Sequence, residues 1–472
     1  MVATVSAALA RPGESHARTV MRLATPTIIA MLSQSVVNEI DVVFFSHLPG
    51  AESSTAQAAL LPSLIVLWLF GGSLSAIGVG TQALVARREA EGNHEDAGAV
   101  LGNAFAFALL AGVLMTAFSQ WVLPTVMEKL IAVPDVRAVA VSFTRWRLWG
   151  VVSMATTMSL KAFFDGLGKT YVHLVAALTM NVLNVVFCWA FIFGNLGAPR
   201  MGADGAALGA LMATWIGFFV MLVFLVGELP RYRPFAAVKL SPKLMWSILR
   251  LSVPAALATT VMMLGFGTFT KFVGRLDAQQ AAEALASGGV AEAVNGAATT
   301  DIVAVLKLTI TAAIAFGTAT ATLVAASLGQ KKPDEAEKYG WTSVKLGLVI
   351  FGLAGLCEGV FFTRPIVNFI ASSPAVREAA MLPMRTMGIT TPAVAVILIM
   401  SEALFGAGNP RFVAVAQFAM IFGVLLPACW LMAIQLGLGL VGIWLAACTY
   451  CVLGACLLAW KFSRGEWKHL VL

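Results

Sequence analysis

The chain consists of long apolar runs separated by short polar connections. These runs exceed the roughly 20 residues that a helix needs to cross a bilayer, and they lack the apolar–polar alternation of membrane barrel strands. The pattern therefore predicts an all-α membrane protein with twelve transmembrane helices. The predicted spans are 20–47, 56–86, 98–122, 136–164, 170–193, 203–227, 246–275, 301–328, 338–362, 377–405, 411–435 and 439–462.

Lys and Arg are concentrated in alternate connections, which include residues 87–88, 231–243, 331–338 and 461–468. By the positive-inside rule these connections face the cytoplasm, so both termini are predicted to be cytoplasmic. Residues 1–19 and 463–472 are then predicted to be short cytosolic tails. Residues 1–18 lack the basic start and apolar stretch of a signal peptide, so we do not interpret them as a cleaved one. We expect a multi-pass protein of the plasma membrane, which in bacteria is the inner membrane.

The two halves of the sequence repeat one another. Arg22-Leu-Ala-Thr-Pro26 matches Arg250-Leu-Ser-Val-Pro254, and Gly166-Leu-Gly168 matches Gly406-Ala-Gly408. Two pseudo-symmetric six-helix lobes are predicted, with a substrate site between them. The lobes comprise residues 20–227 and 246–462, and residues 228–245 form a cytosolic linker. Residues 277–300 read as an Ala- and Glu-rich insertion in the second lobe, to which the sequence assigns no role.

Composition narrows the function class. Of 472 residues, 59% are hydrophobic and 12% are charged, whereas soluble proteins are about 25% charged. A soluble enzyme and a nucleic-acid-binding protein are therefore disfavoured. An integral-membrane enzyme is also disfavoured, since the connections hold no cluster of catalytic residue types. The six cysteines lie in apolar runs, and the five histidines are scattered, so we predict neither a metal site nor a cofactor.

Several segments carry a family resemblance when they are taken in order. They are the Pro26–Gln34–Asp41 pattern, GTQALVARREAEGNHEDA (80–97), FDGLGKT (164–170), NVLNVVFCWAFIFG (181–194) and GADGAALGA (202–210). In these the sequence resembles the multidrug and toxic compound extrusion (MATE) family of secondary transporters. The resemblance implies a two-lobed antiporter that exports drugs and organic cations in exchange for protons or sodium. We expect a small-molecule substrate, bilayer lipid as surroundings, and a monomer.

The candidate coupling site lies in the first lobe. Gln34, Asn38 and Asp41 are spaced i, i+4, i+7 and share one face of a helix. The resemblance places the cation-coupling acid at Asp41, with Asn181 from the fifth span and Asn184 where relatives often carry a second acid. Sodium could bind near Asp41 through amide and carboxylate oxygens. The alternative is that Asp41 only hydrogen-bonds and stabilises a bent helix.

Other intramembrane charges are candidates for the cavity. Glu39 either faces the cavity or pairs with a lysine. Lys271, Lys307 and Glu358 form either a structural ion-pair cluster or a substrate-contacting one. Lys161 and Glu402 occupy nearly equivalent positions near the cytoplasmic ends of the fourth and tenth spans. They either pair the lobes when the inner side is closed or are solvated near helix ends.

Asp165, within FDGLGKT, is expected at the membrane interface. The sequence thus favours an alternating-access exporter of drug-like, mainly cationic compounds. The alternative is a lipid-linked oligosaccharide flippase of the same superfamily. The lysines among the candidate cavity residues are compatible with this alternative.

Overall fold

The computed structural model describes residues 13–49, 51–131, 133–234, 240–286, 294–371 and 373–470. These residues are almost entirely helical, and no strand occurs among them. The predicted all-α membrane fold is confirmed.

The first lobe begins with a single long helix and contains two interrupted ones. Its helices are α1 His16–Ser46, α2 Ala51–Phe70, α3 Ile77–Ala90, α4 His94–Leu130, α5 Pro134–Leu148, α6 Val151–Gly166, α7 Thr170–Phe193 and α8 Ala203–Tyr232. The pairs α2/α3 and α5/α6 each correspond to one predicted span.

The second lobe is interrupted at different spans, the ninth and the eleventh. Its helices are α9 Pro242–Ala286, α10 Val294–Gly329, α11 Pro333–Leu356, α12 Thr363–Ile370, α13 Pro374–Gly406, α14 Pro410–Met420, α15 Leu426–Cys429 and α16 Gly439–Ser463. Wider π turns lie at Cys357–Phe361, Ile421–Leu425 and Trp430–Gln435. Helices α14 and α15 together form the eleventh predicted span.

Ten stretches of the described chain are long and apolar enough to cross a membrane on their own, and the bent α2/α3 pair, with 42° between its halves, is an eleventh. The fourth predicted span is the α5/α6 pair, which is interrupted at Trp149 and Gly150. Helix α5 carries Arg145 and Arg147 in its last turn, which lowers its hydropathy. The twelve predicted segments are therefore all helical.

Both ends of the described chain lie on one face, which we call the terminal face. Nε2 of His16 lies 2.7 Å from Oε2 of Glu335, and Nζ of Lys468 lies 3.0 Å from Oδ1 of Asp334. That this face is cytoplasmic stays a prediction from the distribution of Lys and Arg.

The lobes contact each other at the terminal face. The Gln82 side-chain amide donates to the Thr318 carbonyl at 2.9 Å and to the Thr322 hydroxyl at 2.8 Å. Arg87 donates to the carbonyl of Leu470 at 3.0 Å. The end of α10 approaches α3 so closely that a Cβ atom at Gly329 would clash with the backbone of Arg87. These contacts close the terminal side of the cleft between the lobes.

Helix α9 continues into the predicted insertion 277–300. With 45 residues it is about 68 Å long at the usual helical rise, so it extends well beyond the hydrocarbon core of about 30 Å. Asp277 accepts hydrogen bonds from the backbone N–H groups of Asn295 and Gly296, both at 2.8 Å. Its carboxylate thus ties the end of α9 to the start of α10; residues 287–293 lie outside the described residues.

Candidate functional site

Asp41 lies five residues before the end of α1 and contacts the fourth span. Its Oδ2 atom is 3.6 Å from Nη1 of Arg147, and the two side chains are only 13% and 19% exposed. Arg147 stands in the last turn of α5, just before the interruption at Trp149 and Gly150. The guanidinium carbon is also 5.8 Å from the ring centre of Phe143. The candidate acid therefore faces a fixed positive charge across the helix interface.

Sequence reasoning did not identify Arg147 as a site residue. The signal available was an arginine in the interior of a predicted span, which is costly unless it is paired or solvated. The sequence does not show which turn of the fourth span packs against α1, so the partner could not be named. The structure supplies that partner.

A cysteine connects Asp41 to the fifth span. The thiol of Cys188 is 3.8 Å from Oδ1 of Asp41 and 3.4 Å from Oδ1 of Asn184. Cys188 is fully buried, and Asn184 lies one turn before it on α7. The structure thus brings Asp41 and Asn184 together through a shared neighbour.

Asn181 contacts α1 closer to the terminal face. Its side-chain amide donates to the hydroxyl of Ser33 at 2.8 Å, and its own carbonyl oxygen is buried without a hydrogen-bond partner among the described residues. Ser33 precedes Asp41 by eight residues, about 12 Å along the helix. The Thr170 hydroxyl at the start of α7 also donates to the Leu23 carbonyl at 3.0 Å. Helices α1 and α7 therefore run parallel, with polar contacts near Leu23, Ser33 and Asp41.

The remaining residues of the predicted coupling set are on α1. Gln34 is partly buried. The backbones of Asn38 and Glu39 belong to α1, but their side chains lie outside the described part of the structure. Their predicted roles stay predictions.

The predicted charged residues of the second lobe differ in how far they are buried. Glu358 is partly buried and accepts a hydrogen bond from the hydroxyl of Thr309 at 3.1 Å. Lys271 on α9 and Lys307 on α10 are exposed. Both interpretations, a structural cluster and a substrate-contacting one, stay predictions.

Asp165 lies at the contact between the lobes. The residue is fully buried within the protein, and its Oδ2 atom accepts a hydrogen bond from Nζ of Lys161 at 2.6 Å; its place at the membrane interface stays a prediction. Burial follows from the lobe contact, because Thr322 of α10 donates to the Asp165 carbonyl at 3.0 Å. Glu402 of α13 is partly buried, and its side chain packs over Gly317 of α10.

The family model described as MatE matches residues 26–190 and 254–431. The chain belongs to the MatE family. The two matched ranges fall in the two lobes, so each lobe carries one copy of the family pattern. The fold, the spans and the family together make this chain a multi-pass membrane transporter.

Curated relatives cover the chain almost from end to end. A Thermotoga maritima protein named "Probable multidrug resistance protein NorM" is 24% identical over 95% of this chain and 92% of its own length. A Geobacillus kaustophilus protein of the same name is 22% identical and covers 97% of each chain.

Solved structures share the fold. A MATE family transporter described in an outward-facing conformation superposes with a TM-score of 0.84 at 19% identity, covering 99% of both chains. A transporter of the MOP superfamily from Pyrococcus furiosus reaches a TM-score of 0.85 at 19% identity, also over 99% of both chains. At these identities the likeness establishes the architecture alone.

Proposed function

We propose that this chain exports drug-like or organic molecules by alternating access, in exchange for protons, and that Asp41 carries the proton. Membership of the MatE family and full-length relatives named multidrug resistance proteins support export. The observation that carries the coupling proposal is the Asp41–Arg147 contact of 3.6 Å in the first lobe.

The Arg147 contact favours a proton over sodium. A sodium ion needs several oxygen ligands, and beside Asp41 it would meet the guanidinium of Arg147 at close range. A proton needs only one carboxylate oxygen and removes the negative charge as it binds. Protonation would weaken the attraction to Arg147 and let α1 and α5 shift relative to each other. Sodium coupling remains an outcome of the experiment.

In the proposed cycle the substrate enters from the cytoplasm while the terminal face is open. The terminal face then closes, through contacts such as Gln82 with Thr318 and Thr322. A proton from the opposite side binds Asp41 and promotes substrate release. The proton leaves on the cytoplasmic side when the cycle reverses. The proton gradient supplies the energy.

Arg147 also favours a second candidate, the flipping of a lipid-linked anionic headgroup. A guanidinium binds phosphate and carboxylate groups well, and it would be available to such a substrate whenever Asp41 is neutral. In this second candidate Asp41 is only the counter-ion of Arg147. Transport should therefore tolerate the loss of Asp41 better than it would in an antiporter.

The test is transport by purified protein in proteoliposomes, with a proton gradient, a sodium gradient or neither. Ethidium serves as the cationic probe and fluorescein as the anionic one. We expect ethidium accumulation that requires the proton gradient alone. A requirement for sodium would contradict proton coupling, and fluorescein transport without any gradient would favour the second candidate.

A further inference from the structure

The internal repeat of the chain is visible in how its helices pack. In the first lobe the thiol of Cys188 lies 3.5 Å from the carbonyl oxygen of Ala206. In the second lobe the thiol of Cys429 lies 4.0 Å from the carbonyl oxygen of Ile443. Each contact joins the last two spans of its own lobe, so the two cysteines are structural counterparts, and so are the two carbonyl groups.

Two glycines support the same alignment of the lobes. A Cβ atom at Gly205 of α8 would clash with the backbone of the third and fourth residues after Cys188. A Cβ atom at Gly442 of α16 would clash with the backbone of the third and fourth residues after Cys429. The fifth span therefore corresponds to the eleventh, and the sixth to the twelfth, residue by residue.

The acid and the arginine of the candidate coupling site correspond to apolar residues in the second lobe. Asp41 and Phe269 each follow the proline of the repeated Arg–Pro segment by 15 residues. Arg147 and Met387 each lie 13 residues after the proline that begins their helix, α5 or α13. Phe269 and Met387 are both buried. Both members of the Asp41–Arg147 pair thus have an apolar counterpart.

The neighbouring positions of the second lobe are apolar as well. Leu425 corresponds to Asn184, since each precedes the cysteine of its lobe by four residues, and Leu425 is buried. Trp444 corresponds to Ala207, since each follows the carbonyl group that meets the cysteine. Trp444 is buried, and its ring packs edge-to-face on that of Phe269 with 5.5 Å between the ring centres. Where the first lobe has a small alanine, the second lobe therefore has an indole against the counterpart of the coupling acid.

These four counterparts leave no place for a cation, and we call Phe269, Met387, Leu425 and Trp444 the apolar plug. None of these side chains carries an oxygen atom that could bind a proton or a sodium ion. The indole N–H of Trp444 is only a donor, and it is buried without a hydrogen-bond partner among the described residues. A cation in the plug would lose its water without replacement, which is strongly unfavourable.

The predicted spans of the second lobe contain four other carboxylates, which belong to Asp301, Glu358, Glu378 and Glu402. None of the four forms an ion pair with another residue that the structure describes. Protonation of Asp41 would weaken its attraction to Arg147 between α1 and α5, whereas protonation of these four would weaken no such ion pair. Asp41 is therefore the carboxylate whose protonation changes how two helices hold together.

We propose that one proton enters for each molecule exported, because the apolar plug replaces the second lobe's copy of the coupling site. This inference rests on the proposed function, since it counts the protons that Asp41 carries. For a substrate with one positive charge, the exchange then moves no net charge across the membrane. Its export follows the pH difference and not the membrane potential, whereas a second proton per cycle would make export respond to both.

The balance point of ethidium transport counts the protons directly. Ethidium carries one fixed positive charge. Proteoliposomes are loaded with ethidium at about tenfold the outside concentration, and the interior is made more acidic until net ethidium flux stops. Protein-free liposomes give the passive leak, and potassium with valinomycin sets the membrane potential. With one proton per ethidium we expect balance at a difference of about one pH unit, since one unit is a tenfold ratio of protons. The membrane potential should not move this point.

The outcomes separate this count from the proposed function. Balance near half a pH unit, or a balance point that moves with the potential, would overturn the count but leave proton coupling in place. Ethidium flux that ignores the pH difference would contradict proton coupling itself, and the count with it. Asp41→Asn should show such pH-independent flux.

Three variants test the alternative proton carriers of the second lobe: Asp301→Asn, Glu358→Gln and Glu402→Gln. The balance point is an equilibrium quantity, so a variant that transports slowly still reports the number of protons. All three should balance at about one pH unit, as the wild type does. A variant that balances at a different pH difference from the wild type would show that its carboxylate carries a coupled proton, and would overturn the proposal.

Discussion

Nη1 of Arg147 lies 3.6 Å from Oδ2 of Asp41, so the candidate coupling acid of the first lobe is paired across two helices. The pair has a direct consequence for ion binding. Any cation that binds Asp41 must compete with a positive charge that the chain itself provides.

Replacing Arg147 should therefore strengthen cation binding at Asp41. In Arg147→Gln we expect half-maximal gradient-driven transport at a proton concentration at least roughly tenfold lower, because a neighbouring opposite charge changes a carboxylate's proton affinity by that order. The measurement is transport rate against external pH in proteoliposomes.

Arg145→Gln is the matched control, since Arg145 is on the same helix but exposed. Its pH profile should match wild type. An unchanged midpoint in Arg147→Gln would show that the guanidinium does not compete with the coupling ion.

The close packing of the π turn Cys357–Phe361 against α13 should depend on Gly388. A Cβ atom there would clash with the backbone of Gly359, and the helices would have to separate. We expect Gly388→Ala to destabilise the fold by about 1–3 kcal/mol, seen as a lower thermal unfolding midpoint in detergent.

Gly227→Ala is the comparison, because nothing lies within 4 Å of a Cβ at Gly227 in the interior of α8. Its midpoint should stay equal or rise, as alanine is the better helix former. Equal losses in the two variants would refute the packing argument.

Trp467 should anchor the chain's C-terminal segment. It is fully buried, its indole N–H donates to the Phe462 carbonyl at 2.7 Å, and the two rings stack at 4.5 Å. Trp467→Ala should cost about 3–5 kcal/mol of stability, again measured by thermal unfolding. Trp121→Ala should change little, because Trp121 is 78% exposed; a similar loss in both would contradict the anchoring role.

The sequence predicted much of the fold because membrane spans are local features. Apolar length alone located the twelve segments, and the repeated Arg22–Pro26 and Arg250–Pro254 pattern indicated two lobes. The interruption at Trp149 and Gly150 was missed, since the predicted span 136–164 has no proline to mark a break.

The site was harder to predict because it depends on contacts between distant segments. Helical spacing placed Gln34, Asn38 and Asp41 on one face, but no spacing rule links Asp41 to Arg147, which is 106 positions away in the sequence. The sequence does not show the burial of Asp165 for the same reason, because that burial arises from the packing of α10 in the other lobe. Contacts between the two lobes depend on the tertiary structure, which spacing within one helix does not show.

The most direct test of the account compares accumulation with exchange. Wild-type protein, Asp41→Asn and the control Asp204→Asn are reconstituted, and ethidium movement is followed with and without a proton gradient. Asp204 lies in the first turn of α8 and accepts a hydrogen bond from the Ser142 hydroxyl at 2.5 Å. We expect Asp41→Asn to keep exchange of labelled for unlabelled ethidium but to lose gradient-driven accumulation, while Asp204→Asn keeps both. Gradient-driven ethidium accumulation by Asp41→Asn at the wild-type level would contradict the account.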